Sequence, residues 1–409
     1  MFALPSAQAL LLLAAVIVLV VVIERRWLHP FLAIVAVASV FALIAGFSVA
    51  YLGKTFGTGF AQGALAPGLV ILAAAYVIAI ASVPALPTWM SVPLGFAAGL
   101  AASPAAAFAV LTPLRPKRPL TLALALSASH GLVFSPVLIA AAAIIGASWT
   151  RVAMFGVPVA LVVALVGVVW ARRFLVVAIE PVPAGRRMHL VIAAAVLVPL
   201  VLLMIQSIGE LPNEPLGGGG TRETIIGVGR PLILFLAMLG IMSIGLWRAT
   251  RPVLIDPVAT SSVLNSAAPL VLTVAAAAGL QRLCQETGMA ELLGERLLDW
   301  RAGLLVPFLV AATIKTLQGS SLVAAIAAAG MIQPILTPLG LDHDTGKALA
   351  ALSVGAGAMT ASHVNDDYFW LVTNSSGFGP ARGLAALTLG TALQGAVAVT
   401  ALFALSRLF

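Results

Sequence analysis

Long apolar runs dominate this chain and decide the solvent in which it folds. Hydrophobic residue types make up 61% of its 409 residues, whereas only 9% are charged. So few charges cannot cover that much apolar surface in water. A membrane-spanning helix needs about 20 apolar residues, and about ten runs reach that length. The sequence therefore predicts an all-α polytopic membrane protein, with about ten transmembrane helices and no separate soluble domain. The predicted spans lie at 7–23, 31–52, 64–83, 119–147, 151–171, 188–208, 230–247, 256–280, 346–374 and 383–406.

Two further apolar segments are interrupted in the middle by small and polar residues. Residues 89–114 are too short for two crossings and carry glycine, serine and proline at 99–104. Residues 302–340 are built similarly, with Gln-Gly-Ser-Ser at 318–321. Irregular backbone at membrane depth is tolerated only where protein or water covers it. Both segments are therefore predicted to be re-entrant hairpins.

Two short motifs recur in the same order and indicate an internal repeat. Leu-Thr-Pro-Leu stands at 111–114 and again at 336–339, and Ala-Ser-His stands at 128–130 and again at 361–363. Basic residues follow the first Leu-Thr-Pro-Leu, whereas acidic residues follow the second. Since positive charge favours the cytoplasmic side, the two copies are expected to face opposite sides of the membrane. This pattern predicts inverted-topology repeats, as in many secondary transporters.

The repeat divides the chain into two halves and a linker. Each half is predicted to contain scaffold helices, one hairpin and one helix broken near its middle. The linker is predicted to be one helix followed by a polar, glycine-rich loop, and the second half to include an amphipathic helix at the membrane interface. The predicted boundaries are 1–187 for the first half with its broken helix at 119–147, 188–229 for the linker, 230–409 for the inverted second half, 281–300 for the amphipathic helix and 346–374 for the second broken helix.

Ionisable residues inside the apolar segments are few, and they are costly enough there to indicate function. Away from the ends of these segments, the ionisable residues are His130, Lys315, His363, Asp366 and Asp367. All five fall in or close to a predicted backbone break. Paired breaks bring half-helix ends together near the membrane midplane, where backbone N–H groups attract an anion. The sequence therefore predicts a carboxylate-binding site at this position.

Hydroxyl, amide and cationic side chains near the breaks are the candidate ligands of that carboxylate. Lys315 can pair with the substrate, or it can pair with Asp366 or Asp367 and hold helices together. Serine and amide side chains can donate to substrate hydroxyl groups or bond across helices. The candidate substrate-binding residues are Ser129, His130, Lys315, Gln318, Gly319, Ser320, Ser321, Ser362, His363 and Asn365.

A coupling proton needs a carrier that changes charge near neutral pH, and buried carboxylates and histidines can do so. Asp366, Asp367 and His363 are the predicted carriers, together with His130. No catalytic motif appears, and the His-Asp-Asp spacing matches no strong metal-ligand pattern, so neither an enzyme nor a cofactor is expected. The basic residues are scattered between apolar runs, which fits membrane orientation rather than nucleic-acid binding.

The chain resembles the gluconate:proton symporter family in two stretches. These are QGSSLVAAIAAAG at 318–330 and GAGAMTASHVNDDYFWLV at 355–372. The resemblance is clear over about 255–409 and weaker over the first half. It implies proton-coupled uptake of gluconate or a related sugar acid, in the ion-transporter superfamily fold with a moving, elevator-type substrate domain. It also implies a homodimer in the bacterial inner membrane.

Departures from the family pattern keep other substrates open. The family usually has arginine where Lys315 stands, and often a small residue where Asp367 stands. A shorter hydroxy acid such as lactate or glycerate is an alternative substrate. Sodium coupling is the alternative to protons, since irregular backbone carbonyls can coordinate that ion. A cation/proton antiporter without an organic substrate and an intramembrane enzyme are the more distant readings.

Overall fold

The fold is described by a computed structural model that covers residues 5–81, 86–101, 103–174, 185–210, 217–300 and 302–408. Every regular element within these ranges is helical, and they contain no β-strand. The prediction of an all-α protein is confirmed. The helices of the first part are α1 (Pro5–Glu24), α2 (Pro30–Ile44), α3 (Val49–Gly63), α4 (Leu69–Ile80), α5 (Thr88–Ala98), α6 (Pro104–Leu111), α7 (Pro119–Leu132), α8 (Pro136–Ile145), α9 (Trp149–Ala171) and α10 (Arg186–Gly209).

The second part continues in the same style, with short 3-10 turns at Thr112–Leu114 and Gln333–Ile335 and π-helical turns at Ala64–Gly68 and Leu384–Thr388. Its helices are α11 (Gly219–Val228), α12 (Pro231–Gly245), α13 (Trp247–Ile255), α14 (Pro257–Glu286), α15 (Met289–Glu295), α16 (Leu305–Gln318), α17 (Ser321–Ile332), α18 (Asp344–Ala358), α19 (Asp367–Ser375), α20 (Pro380–Gly383) and α21 (Leu389–Ser406).

Fewer helices are long enough to cross a membrane than the predicted ten. In the described residues, seven helices are long and apolar enough to cross a membrane. The bent pair α11 and α12 adds an eighth if it is counted as one span. The span predicted at 31–52 is divided, because α2 ends at Ile44 and Ser48 caps a new helix by accepting from the Tyr51 N–H at 3.2 Å. The span predicted at 346–374 is split into α18 and α19.

Both predicted hairpins are interrupted where small residues predicted a break. The first is α5 and α6, separated after Gly99, with Ser103 capping α6 by accepting from the Ala106 N–H at 3.2 Å. The second is α16 and α17, separated at Gly319, with Ser320 capping α17 by accepting from the Val323 N–H at 3.3 Å. A serine cap satisfies one of the free N–H groups at a helix start. The two breaks therefore use the same local chemistry.

The two predicted broken helices are also interrupted, and they cross each other. The first breaks between α7 and α8 at Val133–Ser135, slightly later than His130, and the second between α18 and α19 at 359–366. A Cβ added at Gly131 would lie 2.6 Å from the carbonyl oxygen of Gly355, and one at Gly355 would lie 2.0 Å from that of Gly131. Only glycine lets the backbones of α7 and α18 come this close.

The predicted amphipathic helix at 281–300 is not one helix. Residues 281–286 are the last part of the 30-residue α14, and the chain turns at Gly288, whose φ is +65°, before the short α15. A glycine takes this left-handed conformation without steric cost, so it can end the long helix here. Of the polar loop predicted in the linker, residues 211–216 lie outside the described residues, and 219–225 are already part of α11.

Candidate functional site

One polar cavity lies where the backbone breaks meet. Its volume is about 210 Å³, below the roughly 300–1,000 Å³ of sites that take drug-sized ligands, so it suits a small molecule. The breaks of both hairpins contribute to it, as do α7, α14 and the break before α19. Its lining residues are Ser103, Pro104, His130, Gln281, Lys315, Gly319, Ser320, Ser321, Leu322, Asp366 and Asp367.

Lys315 and Asp366 form a buried ion pair in the wall of this cavity. Lys315 Nζ lies 2.7 Å from Asp366 Oδ2, and the two side chains are 3% and 6% exposed. The ammonium also donates to the Gly319 carbonyl. Two readings of Lys315 were open from the sequence, and this structure shows the pairing with aspartate. An ion pair so deeply buried is maintained only if both partners stay hydrogen-bonded.

Asp366 uses both carboxylate oxygens within the protein. Oδ2 accepts from Lys315 and from Ser362 Oγ at 2.5 Å, and Oδ1 accepts from the Tyr368 backbone N–H at 3.0 Å. The last contact makes Asp366 the N-cap of α19. A carboxylate at a helix N-terminus is stabilised by the free N–H groups and by the helix dipole. Asp366 is therefore held in place by three groups.

Asp367 is the carboxylate of the cavity without a cationic partner. Its Oδ1 accepts from the Tyr368 N–H at 2.8 Å, and no cation of the described residues lies within salt-bridge distance of it. It stands at the first position of α19, directly after the paired Asp366. A second carboxylate beside an ion pair leaves the cavity with excess negative charge when both aspartates are ionised.

The two motif histidines make matching contacts. His130 Nδ1 donates to the Gly99 carbonyl at 3.0 Å, and His363 Nε2 donates to the Thr316 carbonyl at 2.6 Å. A carbonyl only accepts, so these ring nitrogens carry the proton. The other nitrogen of His130 is buried without a partner among the described residues, and His130 lines the cavity. Neutral His130 can therefore accept a hydrogen bond from a ligand hydroxyl.

The remaining predicted ligands support the breaks and do not line the cavity. Ser129 Oγ donates to the Phe96 carbonyl at 2.6 Å, and Gln318 donates to Glu291. Asn365 Nδ2 donates to the carbonyls of Thr316 at 3.0 Å and Leu317 at 3.3 Å. The contacts of Ser129 and Asn365 satisfy carbonyls left free at the ends of α5 and α16. Five of the predicted ligands thus bond to other protein groups and are not among the residues that line the cavity: Ser129, Gln318, Ser362, His363 and Asn365.

Two lining polar residues were not among the predicted ligands. Ser103 caps α6 as Ser320 caps α17, and the shared position just after a hairpin break was a usable signal. Gln281 comes from α14 and was assigned to an interfacial helix, because the charges that follow it masked the end of the long span. Nothing in its sequence neighbourhood marks it as facing a cavity.

Three helix N-termini meet at the cavity and set its electrostatics. The cap and first residue of α6, α17 and α19 all line it: Ser103 with Pro104, Ser320 with Ser321, and Asp366 with Asp367. Each helix start carries partial positive charge and free N–H groups. Together with Lys315 and the serine hydroxyls, they can hold a carboxylate and several hydroxyl groups.

Gly319→Ala is expected to destabilise the second hairpin. Gly319 has φ of +82°, and an added Cβ would lie 2.4 Å from the Asn365 carbonyl oxygen. The strained conformation alone costs about 1–3 kcal/mol, and the clash adds to it. The comparison is Gly330→Ala in α17, where nothing lies within 4 Å of an added Cβ. Thermal unfolding in detergent should show a lower Tm for Gly319→Ala only, and equal Tm values would contradict this role.

The outer surface of the fold is apolar and its centre is polar. Leucine, isoleucine and valine side chains such as Leu165, Ile244 and Val258 are 64%, 86% and 76% exposed, whereas the ion pair and the aspartates lie in the interior. Apolar side chains face outward where the solvent is lipid, and ionisable ones face a protein cavity. These features define a multi-pass membrane protein with a central polar site.

The chain belongs to the family described as GntP family permease, which it matches over residues 73–408. The resemblance seen in the sequence is thereby confirmed at the level of the family, which is one of permeases and not of enzymes. A multi-pass location in the bacterial inner membrane agrees with this membership.

Curated relatives with similar sequences carry transporter names. A gluconate permease of Pseudomonas aeruginosa is 27% identical over 265 residues, 60% of this chain and 58% of that protein. A low-affinity gluconate transporter of Escherichia coli K12 is 30% identical over 137 residues, 33% of this chain and 30% of that protein. An L-idonate transporter of the Gnt-II system of the same strain is 29% identical over 206 residues, 49% and 43% of the two chains. The matches thus span between 30% and 58% of the length of these relatives.

Proposed function

We propose that this protein takes up gluconate, or a related small hydroxylated carboxylate, together with protons. The observation that carries the proposal is the cavity in which the Lys315–Asp366 pair and the unpaired Asp367 lie beneath three helix N-termini. The carboxylate of the substrate can bind the N–H groups and the ammonium, and the substrate's hydroxyl groups can bond with Ser103, Ser320 and Ser321. The names of the relatives support a sugar acid as the substrate class.

Charge in the cavity supports coupling to protons. Ionised Asp366 and Asp367 outweigh Lys315, so the empty cavity is already negative before an anion enters. A second excess negative charge in a site shielded from water is strongly unfavourable. If one proton binds together with each substrate anion, the net charge of the cavity stays the same as before the substrate entered. Asp367 is the proposed carrier, because Asp366 is already held by Lys315, Ser362 and Tyr368.

The proposed transport movement is of the elevator type. The two hairpins and the two broken helices would form the moving body, and outer helices of each half the scaffold. Support comes from the matching pairs around the cavity: the serine caps at Ser103 and Ser320, and the histidine-to-carbonyl contacts of His130 and His363. Such pairs are expected of inverted-topology repeats, whose interface holds the substrate. A homodimer is part of the same proposal.

The test is uptake of labelled gluconate into proteoliposomes with an imposed inside-alkaline pH gradient, using lactate, glycerate and citrate as competitors. Accumulation abolished by a proton ionophore supports the proposal. Accumulation driven by a sodium gradient at constant pH would show that the coupling ion is sodium and not the proton. Cation-driven proton movement without any organic anion would instead indicate an antiporter, and disappearance of gluconate by chemical conversion would indicate an enzyme.

Gln281→Ala is expected to weaken binding of long substrates selectively. Gln281 reaches the cavity from α14, and its Nε2 lies 3.1 Å from the place of a Cβ on Gly319. Loss of one hydrogen bond of about 0.5–1.5 kcal/mol raises the KM for gluconate roughly 2- to 10-fold. Glycerate has fewer hydroxyl groups than gluconate with which to bond Gln281, so its inhibition constant should change less. Gln285→Ala, one turn further along α14, is the control, and equal losses for both acids would contradict this role.

A further inference from the structure

A lipid-facing groove on the opposite side of α9 from the cavity helices has one charged end. It lies between α9 and α21 and has a volume of about 300 Å³. The aliphatic side chains of α9 from Val162 to Val169 and Leu393 of α21 line its length. Trp170 and Arg173 close one end. The groove is therefore apolar along its length and cationic at one end.

Arg173 is exposed, oriented and without a carboxylate partner. Its guanidinium lies 4.9 Å from the centre of the Trp170 ring, and Trp170 Nε1 is itself fixed by donating to the Ala386 carbonyl at 2.8 Å. In the part of the chain that the structure describes, no acidic side chain lies within 4.0 Å of Arg173. A guanidinium held over an aromatic ring keeps its outer N–H groups free for an anion.

Arg173 is not needed to cap the C-terminal end of α9. Arg118 already donates to the carbonyls of Ala171 at 3.3 Å and Phe174 at 3.4 Å at that helix end. The 23 residues of α9 correspond to about 34 Å at 1.5 Å per residue, close to the hydrocarbon thickness of a bilayer. The end with Arg173 therefore lies at the depth of lipid headgroups.

We propose that this groove is a specific site for one anionic phospholipid, with an acyl chain along α9 and the phosphate group at Arg173. An acyl chain matches the apolar length of the groove, and a phosphate matches a guanidinium in charge and geometry. A free phosphate would use only the charged end and leave the groove empty. The proposal does not depend on which substrate the protein carries.

A second groove offers an internal comparison. It lies between α1 and α2, has a volume of about 390 Å³, and its lining residues are all apolar, among them Leu11, Val18 and Ile44. It can take hydrocarbon but has no lining cation to select a headgroup. Of these two grooves, the groove of α9 is therefore the one expected to select anionic lipid.

The test is native mass spectrometry of the full chain released from bilayers that contain equal amounts of phosphatidylglycerol and phosphatidylethanolamine. The wild type is expected to retain one phosphatidylglycerol preferentially. Arg173→Gln should lose this preference by removing the charge, and Leu165→Trp should lose it by filling the groove while Arg173 stays. Arg187→Gln, an exposed arginine at the start of α10, and Val18→Trp in the other groove should behave as wild type.

Three results would overturn the proposal. The first is equal retention of the two lipids by the wild type. The second is unchanged phosphatidylglycerol retention in both Arg173→Gln and Leu165→Trp. The third is a dimer that dissociates in these two variants, since it would show that a second copy of the chain covers the groove.

Discussion

Lys315→Met is expected to abolish uptake and to lower the free energy of unfolding by about 3–5 kcal/mol, because it leaves the buried Asp366 charge unpaired. Both side chains of the pair are almost completely buried, and their charged atoms lie 2.7 Å apart. The same change removes the contact between Lys315 and the Gly319 carbonyl, and so weakens the hairpin break. Stability is measured by thermal unfolding in detergent, and function by gluconate uptake into proteoliposomes.

A double variant separates stability from function. Lys315→Met with Asp366→Asn removes both charges, and replacing a buried ion pair with neutral residues is often close to neutral for stability. The double variant is therefore expected to regain most of the lost Tm but none of the lost uptake. Normal uptake by either variant would show that Lys315 has no part in substrate binding.

Asp367→Asn is expected to uncouple substrate from protons while leaving the site able to bind. For one proton per anion, a gradient of one pH unit supports about tenfold accumulation, since both correspond to about 1.4 kcal/mol. The variant should still exchange labelled for unlabelled gluconate, yet accumulate none above equilibrium. Uptake and exchange are measured in the same proteoliposomes at several pH gradients.

Two comparisons make the Asp367 result specific. Asp344→Asn removes an acidic side chain that is 73% exposed at the start of α18, and should leave accumulation unchanged. Asp366→Asn leaves the buried Lys315 charge without its partner, so it should impair exchange as well as accumulation. Full accumulation by Asp367→Asn would assign the coupling proton to another group.

The cost of burying charge made the central site predictable from sequence. Of the five interior ionisable residues, His130, Lys315, Asp366 and Asp367 line one cavity, although they come from distant parts of the chain. The break positions were also predictable, since Gly319 and Ser103 are typical of chain reversals and helix caps. Long spans and their approximate limits followed from apolar runs.

Side-chain direction could not be predicted from the sequence. Ser129 and Asn365 lie beside the breaks as expected, but their hydrogen bonds go to backbone carbonyls behind the cavity. Gln281 faces the cavity only because α14 continues past the predicted span to Glu286. The number of spans was too high, because an apolar run does not show where a turn such as the one before Ser48 divides it.

Gluconate-driven proton movement is the decisive test of proton coupling at Asp367. Proteoliposomes that contain a pH-sensitive dye are given gluconate outside at equal internal and external pH. If Asp367 carries the proton, the lumen acidifies with the wild-type protein and not with Asp367→Asn, while gluconate enters in both. Gluconate entry into wild-type vesicles without any change in luminal pH would contradict proton coupling through this site.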